Sequence, residues 1–93
     1  MIKTKLKGAK QERRCKKQLE DIGYMVIKSG ASLGLFDLIA LGKKQCRLIQ
    51  VKSNYANPAT KEALELFDAP TYCTKELWIY KDRIKKPIIT IYK

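Results

Sequence analysis

Leu35-Phe36-Asp37-Leu38-Ile39-Ala40-Leu41 and Cys46-Arg47-Leu48-Ile49-Gln50-Val51-Lys52-Ser53, joined by Gly42-Lys43-Lys44-Gln45, read as a β-hairpin. Both strands are apolar enough to be buried, yet each is interrupted: Asp37 in the first, Gln50 and Lys52 in the second. Strand alternation puts Gln50 and Lys52 on one face, two residues apart. Polar residues in the middle of a small sheet are costly unless they bind something. An acid, an amide acceptor and an ammonium group converging on one spot suit a divalent cation and a phosphate. That combination points to phosphodiester hydrolysis.

Upstream of the hairpin, Ser29 to Gly34 is a loop of small residues, and Tyr24 to Lys28 is a short strand. Before it, Ala9 to Ile22 has helical spacing, with Cys15, Leu19 and Ile22 on the buried stripe and Gly23 as C-cap. Met1 to Lys7 is expected to be a flexible basic arm. Downstream, Asn57 is the expected N-cap of a second helix that starts at Pro58 and runs to about Phe67. That helix is expected to bury Ala63, Leu64 and Phe67, with Pro70 beyond its end. Glu76 to Tyr80 and Pro87 to Tyr92 read as two more strands, the last an edge or a partner surface. The order α-β-β-β-α-β-β describes one α/β domain over residues 1–93, a mixed central sheet of about five strands flanked by two helices.

The formal charge of +11, from 20 Lys and Arg against 9 Asp and Glu, predicts a polyanionic partner, most often nucleic acid. A solvated basic surface is the alternative. Histidine is absent, which removes Ser-His-Asp and Cys-His catalysis and all histidine-based metal sites. The three cysteines form no C-x-x-C pair, so neither a secreted disulfide framework nor a zinc ribbon is supported. No signal peptide is visible, and no apolar stretch approaches the roughly 18 residues needed to span a bilayer. A soluble cytoplasmic protein is expected, associated with the nucleoid, or in the host cytoplasm if the source is viral.

Glu12 lies three residues before Cys15 and extends the apolar stripe toward the N-terminus, from where it could reach a site built by the sheet. It serves a site there, or it is a first-turn acid favoured by the helix dipole, or a partner for Lys16. Asp37 needs a cation or several donors, and an ion pair with Lys52 would satisfy it as well. Gln50 is a neutral and poorer metal ligand than a carboxylate, unless it only hydrogen-bonds a neighbouring strand. Lys52 stabilises charge on a phosphate, or it is a snorkelling surface lysine. Eight of the first seventeen residues are basic. On a helix Lys10, Arg13, Arg14 and Lys17 share one face, and with Lys5 and Lys7 they would meet backbone phosphates in a salt-sensitive, sequence-independent way.

The chain resembles the archaeal-type Holliday junction resolvases of the PD-(D/E)xK nuclease superfamily. The resemblance is carried by Lys7-Gly8-x-x-x-Glu12-Arg13, Leu19, Gly23-Tyr24, Ser29-x-x-Ser32-x-Gly34, Phe36-Asp37-Leu38-Ile39-Ala40 and Leu48-Ile49-Gln50-Val51-Lys52-Ser53. It implies a restriction-endonuclease-like fold and a Mg²⁺- or Mn²⁺-dependent endonuclease. It also implies a homodimer that nicks opposing strands of a four-way junction. Glu12, Asp37 and position 50 look like the metal ligands, with the Val51 carbonyl as an extra one. Lys52 looks like the catalytic lysine, and Ser32 like the loop serine that approaches the scissile phosphate and contacts DNA. Gln50 stands where these resolvases usually carry Glu. Two other readings stay open: a related nuclease acting on flaps, nicks or duplex DNA, and a catalytically weakened basic DNA-binding protein.

Overall fold

The computed structural model describes residues 2–29 and 35–92, with side chains from residue 9 onward. Its elements are α1 (Ile2–Asp21), β1 (Met25–Lys28), β2 (Leu38–Leu41), β3 (Cys46–Ser53), α2 (Pro58–Leu66), β4 (Cys73–Tyr80) and β5 (Ile88–Tyr92). The five strands lie in one sheet in the order β1-β2-β3-β4-β5. The pairs β1/β2, β2/β3 and β4/β5 are antiparallel. The β3/β4 pair is parallel, which requires a crossover, and α2 supplies it. The expected mixed α/β sheet in the order α-β-β-β-α-β-β is therefore present, with β1 and β5 as its edges.

Alternation along β3 and β4 divides the core in two. Ile49, Val51, Trp78 and Tyr80 face α1, where they pack with Cys15, Leu19, Leu38 and Ala40. Leu48, Leu77 and Ile79 face the opposite way, toward Phe36, Ala56 and Leu64 of α2. Cys15 and Leu19, four apart, are both fully buried, as the helical spacing predicts. A Schellman turn then ends α1: Tyr24 N–H donates to Leu19 O at 3.1 Å and Gly23 N–H to Glu20 O at 3.0 Å, with Gly23 at φ +103°. At the start of α2, Asn57 Oδ1 accepts the Thr60 N–H at 2.8 Å, with Pro58 beside it. At its other end Lys75, only 5% exposed, donates from Nζ to Glu65 O at 3.0 Å and Phe67 O at 2.9 Å. A buried ammonium group thus caps carbonyls that the helix cannot satisfy itself.

Several expectations are corrected. Helical backbone begins at Ile2, so the expected arm of Met1 to Lys7 is, from Ile2 on, the first turns of α1. Ile22 is 68% exposed, because it sits in the Schellman turn, past the last residue to which helical spacing applies. Ala63 is exposed; Leu64 alone is buried in α2, and Phe67 lies beyond the helix, edge-on to Phe36 at 5.0 Å. Cys46 and Cys73 are register partners across the parallel pair. Both are free thiols, and burial with the neighbouring Cys73 thiol pushes Cys46 up to about 11.

Candidate active site

β3 is longer than its partner on one side. Pairing with β2 stops at Leu38–Ile49, whereas pairing with β4 continues to Ser53–Tyr80. Beyond Ile49, β3 therefore has backbone groups with no β2 residue opposite them. Asp37, immediately before β2, fills that gap: its Oδ2 accepts the Val51 N–H at 2.8 Å, and its own N–H donates to Ile49 O at 2.9 Å. The carboxylate thus replaces a missing ladder bond and sits where the sheet opens. Ser29 closes the neck of the preceding loop, with its N–H donating to Asp37 O at 2.9 Å and its hydroxyl to Phe36 O.

Four ionisable groups, on α1, β1, β3 and the residue before β2, act on one another here. Burial raises the Asp37 carboxyl above its usual range, against the pull of the Val51 N–H, Lys52 and Lys28. Burial also raises Glu12 of α1; the Asp37 charge adds to the rise and Lys28 opposes it. Lys28 Nζ lies 3.9 Å from Glu12 Oε1. Burial pushes both acids toward protonation and the Asp37 charge adds to the push on Glu12, while two lysines pull the other way; such clusters of perturbed titratable groups mark candidate functional sites. The structural alternatives fare less well. Lys16 pairs with Glu20 at 3.1 Å, not with Glu12. Lys52 forms no ion pair within 4 Å among the described residues, so it acts on Asp37 through space.

Gln50 follows Ile49 on β3 and is 8% exposed. Its amide has no hydrogen-bond partner among the described residues, yet no buried side-chain N or O there is stranded. The amide therefore keeps access to solvent. Among the described residues, no three His, Cys, Asp or Glu side chains gather in one place. A cation here would take two carboxylates, and its remaining protein ligands would be neutral oxygens. The Gln50 amide and a backbone carbonyl such as that of Val51 are the oxygens at hand, and hard divalent cations accept that donor set.

Ser32 lies outside the described residues, as do the side chains of Lys5 and Lys7. Lys10, Arg13 and Lys17 are exposed along α1. Arg14 is half-buried and occupied: it donates to Gln11 Oε1 and to Lys85 O, both at 2.9 Å, and stacks over the Tyr80 ring at 4.6 Å. Two functional features escape the sequence reading. Lys28 pairs with Glu12 and acts on Asp37 through space, its strand position opposite Leu38 being next to Asp37, and only that cross-strand register would have signalled it. Arg47 holds Glu76 with two bonds of 2.8 Å, lying over the Tyr24 and Trp78 rings. Glu76 is 1% exposed; burial alone would raise it, but donors on Arg47, Thr74 and Trp78 bring it below its usual range. This network ties β3 to β4.

A cavity of about 750 Å³ lies between the end of α2 and strands β4 and β5. None of Glu12, Lys28, Asp37, Gln50 or Lys52 lines it. No helix among the described residues is long and apolar enough to cross a membrane. No curated protein matches the chain. The sequence profile of the archaeal Holliday junction resolvase family matches residues 3–66.

Proposed function

The chain belongs to the archaeal Holliday junction resolvase family, nucleases of DNA recombination and repair that act on branched DNA, and from that membership we propose a divalent-metal-dependent endonuclease that resolves four-way junctions by paired nicks. The observation that carries the reading is the electrostatic coupling of Glu12 and Asp37, with Lys28 and Lys52 acting on Asp37 and the Gln50 amide without a protein partner among the described residues. Glu12, Asp37 and Gln50, with the Val51 carbonyl, would hold Mg²⁺ or Mn²⁺. When bound, such an ion polarises a phosphate oxygen and lowers the pKa of a water molecule to the range where it attacks at neutral pH.

The chain's own residues do the rest. Asp37 is held in place by the Val51 N–H, so its carboxylate needs no reorganisation to receive a cation. Lys52, on β3 and close enough to act on Asp37, lends positive charge to the pentacovalent phosphate or orients the attacking water. Lys28 favours the ionised form of Glu12 and offsets its charge beside Asp37 before the substrate arrives. Ser32, outside the described residues, would be the serine that contacts the scissile phosphate. Lys5, Lys7, Lys10, Arg13 and Lys17 follow the backbone along α1, and Arg14 positions the turn it touches. Paired nicks need two copies of this single site. A homodimer joined at the β5 edge is the proposed arrangement, because Ile88, Ile89 and Ile91 are 42–52% exposed there. Light scattering showing a monomer at working concentration would remove it.

The deciding assay is cleavage of an end-labelled four-way junction beside linear duplex and flap controls, in Mg²⁺, Mn²⁺ and EDTA, with Lys52→Ala protein alongside. Metal-dependent nicks on opposing junction strands, absent with Lys52→Ala, are the expected result. Cleavage confined to flaps or duplex would keep the active site and change the substrate. Tight binding without cleavage under either metal would leave a structural DNA-binding protein with an incomplete ligand set at Gln50.

A further inference from the structure

The turn between β4 and β5, Lys81-Asp82-Arg83-Ile84-Lys85-Lys86, carries four cations in six residues, all of them exposed. It lies beyond residues 3–66, the part of the chain that the family profile matches. With Lys10, Gln11 and Arg14 of α1 the turn lines a shallow cavity of about 340 Å³. Lys10, Lys81, Arg83 and Lys85 enter no ion pair within 4 Å among the described residues.

Two tethers fix this turn beside the candidate site. Asn54 Oδ1 accepts the Asp82 N–H at 3.0 Å, and Asn54 Nδ2 donates to Asp82 Oδ2 at 3.4 Å. Asn54 is the second residue after Lys52, at the end of β3. From the other side Arg14, the second residue after Glu12, donates to Lys85 O at 2.9 Å while stacking on Tyr80. The turn is therefore held to the strand and the helix that supply site residues, at the sheet end where Lys52 lies. Arg83 at its centre has φ +67°, a left-handed conformation that favours Gly or Asn. A long cation is kept where a smaller residue would fit the backbone better.

We propose that the β4–β5 turn is a phosphate clamp: Lys81, Arg83 and Lys85, opposed by Lys10 across the cavity, grip the sugar-phosphate backbone flanking the strand held at Glu12 and Asp37. The ligand is the DNA backbone itself, read by charge and spacing; no aromatic side chain lines the cavity to stack on bases. The clamp rests on the nuclease reading above, because it assumes DNA at the neighbouring site.

The test is fluorescence-anisotropy binding of a labelled four-way junction over a salt series, in EDTA so that nothing is cut. The proteins are the unaltered chain, Lys81→Gln/Arg83→Asn/Lys85→Gln, and Lys81→Gln/Lys85→Gln, which leaves the Arg83 backbone untouched. A control, Lys43→Gln/Lys44→Gln, removes two exposed cations from the β2–β3 turn at the opposite end of β3. Each lost phosphate contact lowers the slope of log affinity against log salt by about 0.9, so the triple variant should lose roughly 2.7 of slope and on the order of 100-fold in affinity at about 0.1 M salt. The double variant should lose roughly 1.8 of slope and the control almost none. Folded turn variants with the unaltered slope, or a control that loses as much, would overturn the clamp and leave the nuclease reading standing. Failure of the unaltered chain to bind any DNA would remove the nuclease reading and the clamp with it.

Discussion

Substitution of Asp37 separates two roles that one carboxylate holds. Its Oδ2 accepts the Val51 N–H at 2.8 Å, and its charge is the partner that a cation would need. Asp37→Ala leaves that N–H without an acceptor, which costs about 1–3 kcal/mol. At about 4–8 °C per kcal/mol for a domain of this size, the melting temperature should fall by roughly 4–24 °C. Asp37→Asn keeps an amide oxygen for the same N–H and removes a charge that burial disfavours and that pushes Glu12 up. It should melt at or above the unaltered protein at neutral pH. The pH dependence has a definite sign. Asp37 titrates higher in the folded chain than its ordinary 3.8, so the folded state binds the extra proton between those values. The penalty for its charge therefore appears as pH rises through that window and fades as pH falls back toward 3.8. Scanning calorimetry of the three proteins, from acid to neutral pH, should show the Asp37→Asn advantage widest at neutral pH and vanishing in acid. Both variants should lose cleavage. Mn²⁺ should raise the melting temperature of the unaltered chain alone, by the equivalent of about 2.7 kcal/mol at a hundredfold excess over Kd. An Asp37→Asn protein as unstable as Asp37→Ala at neutral pH, or equal protection of all three by Mn²⁺, would refute the reasoning.

Arg47→Leu should destabilise by about 3–5 kcal/mol, because it strands a buried carboxylate with only Thr74 and Trp78 as donors. Urea unfolding followed by the fluorescence of Trp78, the single tryptophan, measures it. Glu76 titrates below its ordinary 4.5 in the fold, so its contribution is present above that value and is lost as pH falls through the lowered one, and the cost of Arg47→Leu should shrink in acid. Gln50→Glu should lower the half-saturating Mg²⁺ concentration by about tenfold or more in a thermal-shift titration, since it adds a charged oxygen to the ligand set. Without metal the same change places a third acid beside Glu12 and Asp37 and should destabilise the protein at neutral pH. Lys75→Met removes both side-chain donors from the end of α2 and should cost about 1–3 kcal/mol, with faster amide hydrogen exchange in the last turn of that helix.

What the sequence discloses here is what short-range patterning controls. The β2–β3 hairpin is readable because alternation and a four-residue turn leave few alternatives, and Asn57-Pro58 marks the start of α2 by its own capping chemistry. The pairing of Asp37 with the β3 end follows from the same hairpin. Lys28, Arg47, Glu76 and the Cys46–Cys73 pair are different, because each depends on register between strands that local spacing does not encode. Glu76 meets Arg47 only through a parallel pairing reached across α2. Lys75 runs against the rule that lysines stay outside, and only the unsatisfied carbonyls at the end of α2 explain why it does not. The N-terminal turns of α1 are hidden for a plainer reason: Lys-rich sequence carries no apolar stripe to reveal a helix.

The unequal reach of β3 also bears on the order of assembly. Helix α1 and the strand meander β1–β2–β3 contain Glu12, Lys28, Asp37, Gln50 and Lys52, and they can begin to associate through contacts close in sequence. Beyond Ile49, however, β3 has no β2 partner, so the half bearing Gln50 and Lys52 depends on β4 for its ladder. That parallel pairing must close a loop spanning α2, and such non-local contacts form slowly. A nascent chain therefore displays every proposed catalytic residue before it has the strand that aligns them. Nuclease competence arrives with the docking of β4, which makes cleavage a stringent reporter of complete folding.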